Sequence, residues 1–373
     1  CSKELLLQKG FRNKMTPQEI LNEAWQLYAN KDAINSSKLC QKLLMEYPNT
    51  AEGHYILGLS LGRLGNANIG IRHIKEAKRL RPEFAYYDLK RDLMLQQGVT
   101  NHTDLWEACF RQYLLFQNID AFLISYPKCG RTWLRAMLGK YVSEATGKGD
   151  VLELLQMTAS LNEFATLEIS HDDYAHWKPT DKIFLDKQAY AEKKVIFLVR
   201  DPRDTLVSNY FQYTRRGDKK FANDDAFDGN ISEFIRHEIG GLANLVAFYN
   251  VWADNRNVPR DFLLVTYEET KRDARKILCQ VIEFLDWPMF DDDRINSALN
   301  FGNFDNLKQL ETTNALKNPR LRAPEDGHPE GFKIRRGKVG GYTEYLSADD
   351  ISYIDNYLRE HLSEYYSFYQ KGS

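Results

Sequence analysis

Apolar positions along this chain follow two rhythms. From about residue 17 to residue 82 they recur at helical spacing, and the pattern itself repeats: Pro48 and Pro82 are 34 residues apart, as are Ala24 and Gly58, and Leu27 and Leu61. Each proline is expected to end the second helix of a pair, since its ring cannot continue the backbone hydrogen bonding. The small residue at Ala24 or Gly58 lets paired helices approach closely. Residues 85–97 read as a third or capping helix. From about residue 105 the rhythm changes. Apolar, β-rich runs at 121–126, 195–199 and 262–265 alternate with helical stretches, which predicts a mostly parallel sheet flanked by helices, of α/β class. The predicted division is an all-α helical-repeat domain over 1–104 and an α/β domain over 105–373. Parallel sheets offer ligands the carboxyl ends of their strands. The loops that follow these runs are therefore where chemistry is expected.

The 34-residue period resembles the tetratricopeptide repeat, with Tyr55, Gly58, Leu61, Gly65, Ala77 and Pro82 in the expected places of the second copy. Two copies and a cap make a short array, expected to pack on the following domain or to take a protein partner. A net charge of −2 over 373 residues argues against nucleic acid or an anionic membrane as a whole-molecule partner. The five cysteines, Cys1, Cys40, Cys109, Cys129 and Cys279, have no paired spacing. That argues against a disulfide or zinc framework and for a reducing compartment, so a cytoplasmic location is expected. No apolar run approaches the ~18–20 residues of a membrane span, and no signal peptide is expected.

The run 121–124 leads into Ser125-Tyr126-Pro127-Lys128-Cys129-Gly130-Arg131-Thr132-Trp133. A glycine-containing strand-to-helix turn presents backbone N–H groups and a helix N-terminus together, which favours a bound phosphate. Lys128 precedes Gly130 instead of following it, so this is not the nucleoside-triphosphate loop, whose lysine follows its last glycine. Tyr126 to Trp133 resembles the Y-P-K-[ST]-G-T-[TS]-W motif of the sulfotransferase family, with Cys129 and Arg131 standing where Ser and Thr are usual. That resemblance implies a P-loop-like sulfotransferase fold and 3′-phosphoadenosine-5′-phosphosulfate as sulfuryl donor. It implies donor contacts from Lys128, Cys129, Gly130, Arg131 and Thr132, with Trp133 stacking on the adenine. No metal is expected.

Further stretches extend the resemblance over about 120–342. Arg200 at the end of a buried-looking strand, and Ser208 eight residues on, resemble the family's 3′-phosphate signature. The plainer reading is that Arg200 and Arg203 pair with Asp201 and Asp204. The run Phe332 to Tyr342 resembles the family's R-K-G-x-x-G-D-W loop, carried onto Arg335, Arg336 and Gly337, with Gly341-Tyr342 in place of Asp-Trp. A guanidinium fork suits phosphate as well as an ammonium does. A Pro/Gly-rich, charged stretch over 318–341 reads as a long binding loop or lid. Tyr267 resembles the family's adenosine-contacting tyrosine, and Phe304 the aromatic beside the adenine.

Sulfuryl transfer passes a group in line between two oxygens, so catalysis is mostly positioning and charge stabilisation. The resemblance implies Lys128, His171 and Ser208 as the catalytic group. An alcohol or phenol acceptor needs a base near neutral pH, for which histidine is suited. His171 ends a short apolar stretch in the interval where the family carries its base, while His176, Asp172 and Asp173 stand as alternatives. Phe211, Tyr213, Phe248, Tyr249 and Trp252 read as core. The expected activity is transfer to a hydroxyl or amine of a small-molecule acceptor. Two other readings are a nucleoside or small-molecule kinase, which would want GK[ST] and a magnesium-holding aspartate, and an inactive scaffold binding partners through its helical repeats.

Overall fold

A computed structural model describes residues 15–81, 84, 101–147, 164–216, 227–288, 292–318, 321–324 and 326–370. The chain forms two compact units, Cys1–Gln117 and Asn118–Ser373.

The first unit contains α1 (Pro17–Ala29), α2 (Ala33–Glu46), α3 (Ala51–Arg63), α4 (Ala67–Leu80) and α5 (His102–Gln117). Local chemistry sets where they start. Thr16 and Glu19 form a capping box before α1, with Pro17 in its first turn, and Asp32 caps α2 by accepting from the Asn35 N–H. Small residues then allow close packing. A Cβ at Gly58 would lie 2.8 Å from the Ile74 side chain and 2.9 Å from the Gly70 carbonyl. Ala24 is fully buried, and its carbonyl accepts from Ser36 Oγ at 2.8 Å.

Helix α5 packs on α3, placing Phe110 against Tyr55 with ring centroids 5.0 Å apart. Its buried Leu105, Cys109, Phe110 and Tyr113 lie at spacings of three and four along the helix, with Cys109 and Phe110 adjacent, and form a single apolar face. Helix α5 thus belongs to the first of the two compact units, which ends at Gln117. Pro82 and residues 85–97 lie outside the described residues.

The second unit is built on four parallel strands in the order β2-β1-β3-β4. These are β1 (Ala121–Ser125), β2 (Leu167–Ser170), β3 (Lys194–Val199) and β4 (Asp261–Thr266). All of β1 and β3 is buried, which explains their unbroken apolar reading. The short strand β2 is an edge, set in register on β1 from Ala121↔Leu167 to Ile124↔Ser170.

Helix α6 (Arg131–Thr146) follows β1, α7 (Pro202–Arg215) follows β3, and α8 (Ile231–Arg236) and α9 (Leu242–Asp254) come before β4. Beyond β4 are α10 (Tyr267–Arg272), α11 (Ala274–Phe284), α12 (Asp292–Phe301), α13 (Phe304–Thr312) and α14 (Ala348–His361). Phe248, Tyr249 and Trp252 are core, as expected from sequence. Where it is described, the stretch 318–341 is mostly irregular, with one short turn of 3₁₀ helix at Pro329–Gly331. Buried Glu311 anchors it, accepting from the Lys333 and Ile334 N–H groups at 2.7 Å each and pairing with Arg216 at 2.8 Å. Cys40, Cys109, Cys129 and Cys279 are free thiols. Among the described residues, no helix is long and apolar enough to cross a membrane.

Gly58→Ala should destabilise the first unit by about 1–3 kcal/mol through overpacking. The check is a denaturation curve followed by the tryptophans of that unit. An unchanged midpoint would show that the Gly58–Gly70 approach is not a tight one.

Candidate active site

The loop after β1 takes an unusual backbone path. Lys128 has φ +71° and Gly130 φ +93°, a region that favours glycine. A Cβ at Gly130 would also sit 2.6 Å from the Tyr267 ring, so both conformation and space call for glycine there. Gly130 then leads into α6 with no side-chain cap. The first N–H groups of α6 lack intrahelical partners, as at any helix start, and Gly130, Arg131, Thr132 and Trp133 line a cavity of about 1170 Å³. That cavity lies at the carboxyl ends of the strands, where an open parallel sheet binds ligands.

The segment following β3 supplies a second wall. Arg200, Asp204, Ser208 and Gln212 all line the cavity, because a spacing of four keeps them on one face. Lys128 Nζ donates to Gln212 Oε1 at 3.1 Å. The Arg200 fork donates to the Lys128 carbonyl at 3.4 Å and the Lys338 carbonyl at 3.1 Å, and rests 4.3 Å over the Tyr267 ring. Its Nε is buried without a partner. Asp204 lies 3.5 Å from Arg200 and accepts the Gly340 and Tyr342 N–H groups at 2.9 Å each. Arg203, by contrast, is buried against Asp201 and Asp355. Both arginines have aspartate neighbours, Arg203 with Asp201 and Arg200 with Asp204, and Arg200 also faces the cavity.

Three rings stand on the same side. Trp133 donates through Nε1 to the Gly302 carbonyl at 2.7 Å and meets Tyr267 edge-on at 5.7 Å. Phe304 packs beneath Gly337, whose φ is +60° and whose Cβ would lie 2.6 Å from that ring. Arg335 and Arg336 line the cavity while pairing with Glu330, and Arg336 also with Glu344.

The end of β2 supplies the opposite wall, with His171, His176 and Trp177. His171 Nδ1 is 2.8 Å from the Ser125 carbonyl, so it carries the proton, and Nε2 accepts from Arg131 Nη2 at 2.5 Å. Burial, with Arg131 and His176 nearby, holds the His171 pKa well below the usual imidazole range. Burial and Arg131 draw His176 down to about 3. The alternative carboxylates are engaged elsewhere. Asp172 takes Lys187 Nζ at 2.6 Å and the Tyr190 hydroxyl at 2.8 Å, while Asp173 takes Lys178 Nζ at 2.8 Å.

Of the residues singled out from sequence, all but Cys129 among the site candidates reach this cavity with lining atoms. Cys129 is fully buried, its Sγ 3.4 Å from the Tyr249 hydroxyl, and burial pushes its thiol up to about 11. The reading of Tyr213 as core is only half right, since it is buried yet lines the cavity. Sequence reasoning missed Gln212, Lys333 and Trp177. The first shares a helix face with Ser208, which is a usable signal. Lys333 arrives through a distant loop held by Glu311, and nothing local announces it.

The electrostatics are one-sided. Among the described residues, nine lysine and arginine side chains line the cavity, against a single carboxylate, Asp204. Burial and the neighbouring Lys333 and Arg216 hold Lys128 well below the usual lysine range. Lys333 itself is drawn down to about 7 by burial and by Arg216 and Arg131. Surplus positive charge, the partnerless Arg200 Nε, and glycine turns that admit close backbone approach all suit a nucleotide with several anionic groups. Among the described residues, no cluster of three or more ligating side chains offers a metal site.

The sulfotransferase domain family matches residues 118–366. The chain belongs to that family. Flavonol 3-sulfotransferase of Flaveria bidentis is 23% identical over 292 residues, covering 71% of this chain and 89% of that protein. Amine sulfotransferase of Oryctolagus cuniculus is 23% identical over 266 residues, covering 66% and 81%. A mouse sulfotransferase crystallised with PAP (3′-phosphoadenosine-5′-phosphate) is 19% identical, with a TM-score of 0.48 over 69% of this chain and 89% of that one. This sulfotransferase is thus an enzyme that moves a sulfuryl group from 3′-phosphoadenosine-5′-phosphosulfate to a small-molecule acceptor.

An anion seated among these cations favours their protonated forms. With Lys333 at about 7 in the free protein, PAP binding above pH 7 should take up protons, and affinity should fall as pH rises from 7 towards 9. Calorimetry in buffers of different ionisation enthalpy measures the uptake. Proton release, or affinity that rises with pH, would contradict this electrostatic picture.

Proposed function

We propose that the cavity holds the donor nucleotide with its phosphosulfate end at Lys128 and its 3′-phosphate at Arg200, Ser208 and the Arg335-Arg336-Gly337 turn. Trp133, Tyr267 and Phe304 would bracket the adenine, since aromatic faces stack on bases. The single observation that carries this reading is the convergence of Lys128, the partnerless Arg200 Nε and those three rings on one cavity. When bound, the donor supplies an activated sulfuryl group whose transfer leaves PAP. Lys128 Nζ stabilises negative charge where the leaving phosphate oxygen develops it. The amides of Cys129, Gly130, Arg131 and Thr132 orient the same end.

His171 acts as the base for the acceptor's hydroxyl or amine. Its support is the tautomer: Nδ1–H is fixed on the Ser125 carbonyl, so Nε2, which takes Arg131 Nη2 in the free protein, carries the lone pair that can accept the acceptor's proton. Engagement of Asp172 and Asp173 with Lys187 and Lys178 removes them as competitors. His176 is the remaining rival, because its Nδ1 is buried and partnerless. The N-terminal helices are read as a tetratricopeptide-like module that takes a protein partner, supported by their paired arrangement and the Gly58–Gly70 approach. The protein is placed in the cytoplasm, in keeping with its free thiols and with relatives named cytosolic sulfotransferases in Arabidopsis thaliana.

Lys128→Ala should lower kcat by about 10²–10³-fold, the size of losing one well-aimed donor, with a smaller effect on PAP affinity. Arg200→Ala should instead weaken PAP binding by about 1.5–3 kcal/mol, the worth of hydrogen bonds to a charged group. Equal, small effects of both on turnover and binding would refute the assignment.

His171→Ala should lose about 10²–10⁴-fold in kcat while PAP binding persists, an alkyl alcohol suffering more than an acidic phenol. His176→Ala should be mild by comparison. Near-normal turnover of an alkyl alcohol by His171→Ala would pass the role to His176.

A further inference from the structure

Arg131 spans two sides of the sheet. It begins α6 on the loop after β1, yet its guanidinium reaches the end of β2, 2.5 Å from His171 Nε2. In the order β2-β1-β3-β4, the residues read as donor contacts follow β1, β3 and β4, namely Lys128, Arg200 and Tyr267. Strand β2 lies at the opposite edge, with the base. Arg131 therefore carries a fixed positive charge to the place where the acceptor must sit. Its Nη1 is buried and has no hydrogen-bond partner, and among the described residues no carboxylate lies within ion-pairing distance of it. Burial and the like charge of Arg135 hold Arg131 at about 10, while Tyr174, Cys129 and Glu168 pull more weakly the other way. A buried guanidinium in that condition has no hydrogen-bonded counter-charge.

We propose that the preferred acceptor is a small alcohol or phenol that carries an oxyanion of its own, held by Arg131 beside the His171 ring. This rests on the sulfotransferase reading and adds the acceptor's charge to it. Guanidinium suits carboxylate and sulfonate geometry, and charge-assisted hydrogen bonds are roughly twice as strong as neutral ones. An oxyanion would thus outcompete the neutral His171 nitrogen for Arg131. As the guanidinium turns to the anion, the Nε2 lone pair is freed for the acceptor's hydroxyl proton. A neutral acceptor must displace Arg131 from Nε2 without that compensation, and is therefore the poorer substrate. The sequence resemblance places threonine at this position in the family motif, so the charge is a departure of this chain.

The test uses the full chain loaded with PAP and three probes of one shape: para-hydroxybenzoate, para-hydroxybenzenesulfonate and para-hydroxybenzamide. Calorimetry should show at least one of the two anions binding about tenfold or more tightly than the amide, as expected for a charge-assisted contact. The better anion identifies which oxyanion fits. Arg131→Thr should abolish the preference and Arg131→Lys should retain part of it. Wild-type protein that binds PAP but favours neither anion overturns the proposal, and that arm needs no variant to fold. A preference that survives in Arg131→Thr also overturns it, as does a variant that loses PAP affinity while keeping the anion preference, which would make Arg131 a donor contact. Failure of the wild type to bind PAP at all would sink the sulfotransferase reading beneath it.

Discussion

Repulsion among like charges is the constraint on which this site depends. Lys128, Arg131, Arg200 and Lys333 are drawn to one cavity whose only carboxylate, Asp204, is already engaged by two backbone N–H groups. The fold tolerates this because most of the contacts that hold the cations are neutral: Gln212 under Lys128, carbonyls and a tyrosine face under Arg200, an imidazole under Arg131. Arg200 also has a carboxylate within reach, Asp204 at 3.5 Å. The downward pull on Lys128 and Lys333 is the visible cost, and a polyanionic ligand relieves it. Burial and like-charge crowding thus act together against the free cations, and a bound polyanion offsets both.

The two departures from the family motif resolve differently. Cys129 turns away from the cavity and meets the Tyr249 hydroxyl, which itself accepts from the Arg200 N–H at 3.0 Å and donates to the Arg200 carbonyl at 2.9 Å. The cysteine therefore joins the loops after β1 and β3 through one buried phenol, and its high pKa keeps it an unreactive thiol. Arg131 faces the cavity instead, where it alters chemistry. Side-chain direction separates a structural substitution from a functional one, and motif spacing carries no information about it.

What was legible in the sequence was local. The strand-to-helix turn at Tyr126–Trp133, the arginine at the end of β3 and the tyrosine after β4 each announce themselves within a few residues, because a glycine turn or a strand end is a short-range event. What was not legible depended on sheet order and on contacts across the chain. The inward cant of Cys129 needs Tyr249, Lys333 needs Glu311, and the neutral His171 tautomer needs the Ser125 carbonyl on the neighbouring strand. The membership of helix α5 in the first unit is likewise a matter of contacts across the chain. Its apolar face fits either unit by pattern, and only the packing on α3 decides.

The Asp204 tie has a consequence for how the protein is made. Gly340 lies 136 residues beyond Asp204 in the chain, and at synthesis rates of about 5–20 residues per second that separation amounts to roughly 7–27 s. During that interval the segments carrying Lys128 and Arg200 are already synthesised, while the segment whose Gly340 and Tyr342 N–H groups tie to Asp204 is still being translated. Nucleotide capture is accordingly a late event in the life of the nascent chain. The crowded cations spend the interval open to water, which screens their mutual repulsion until the last turn closes over them.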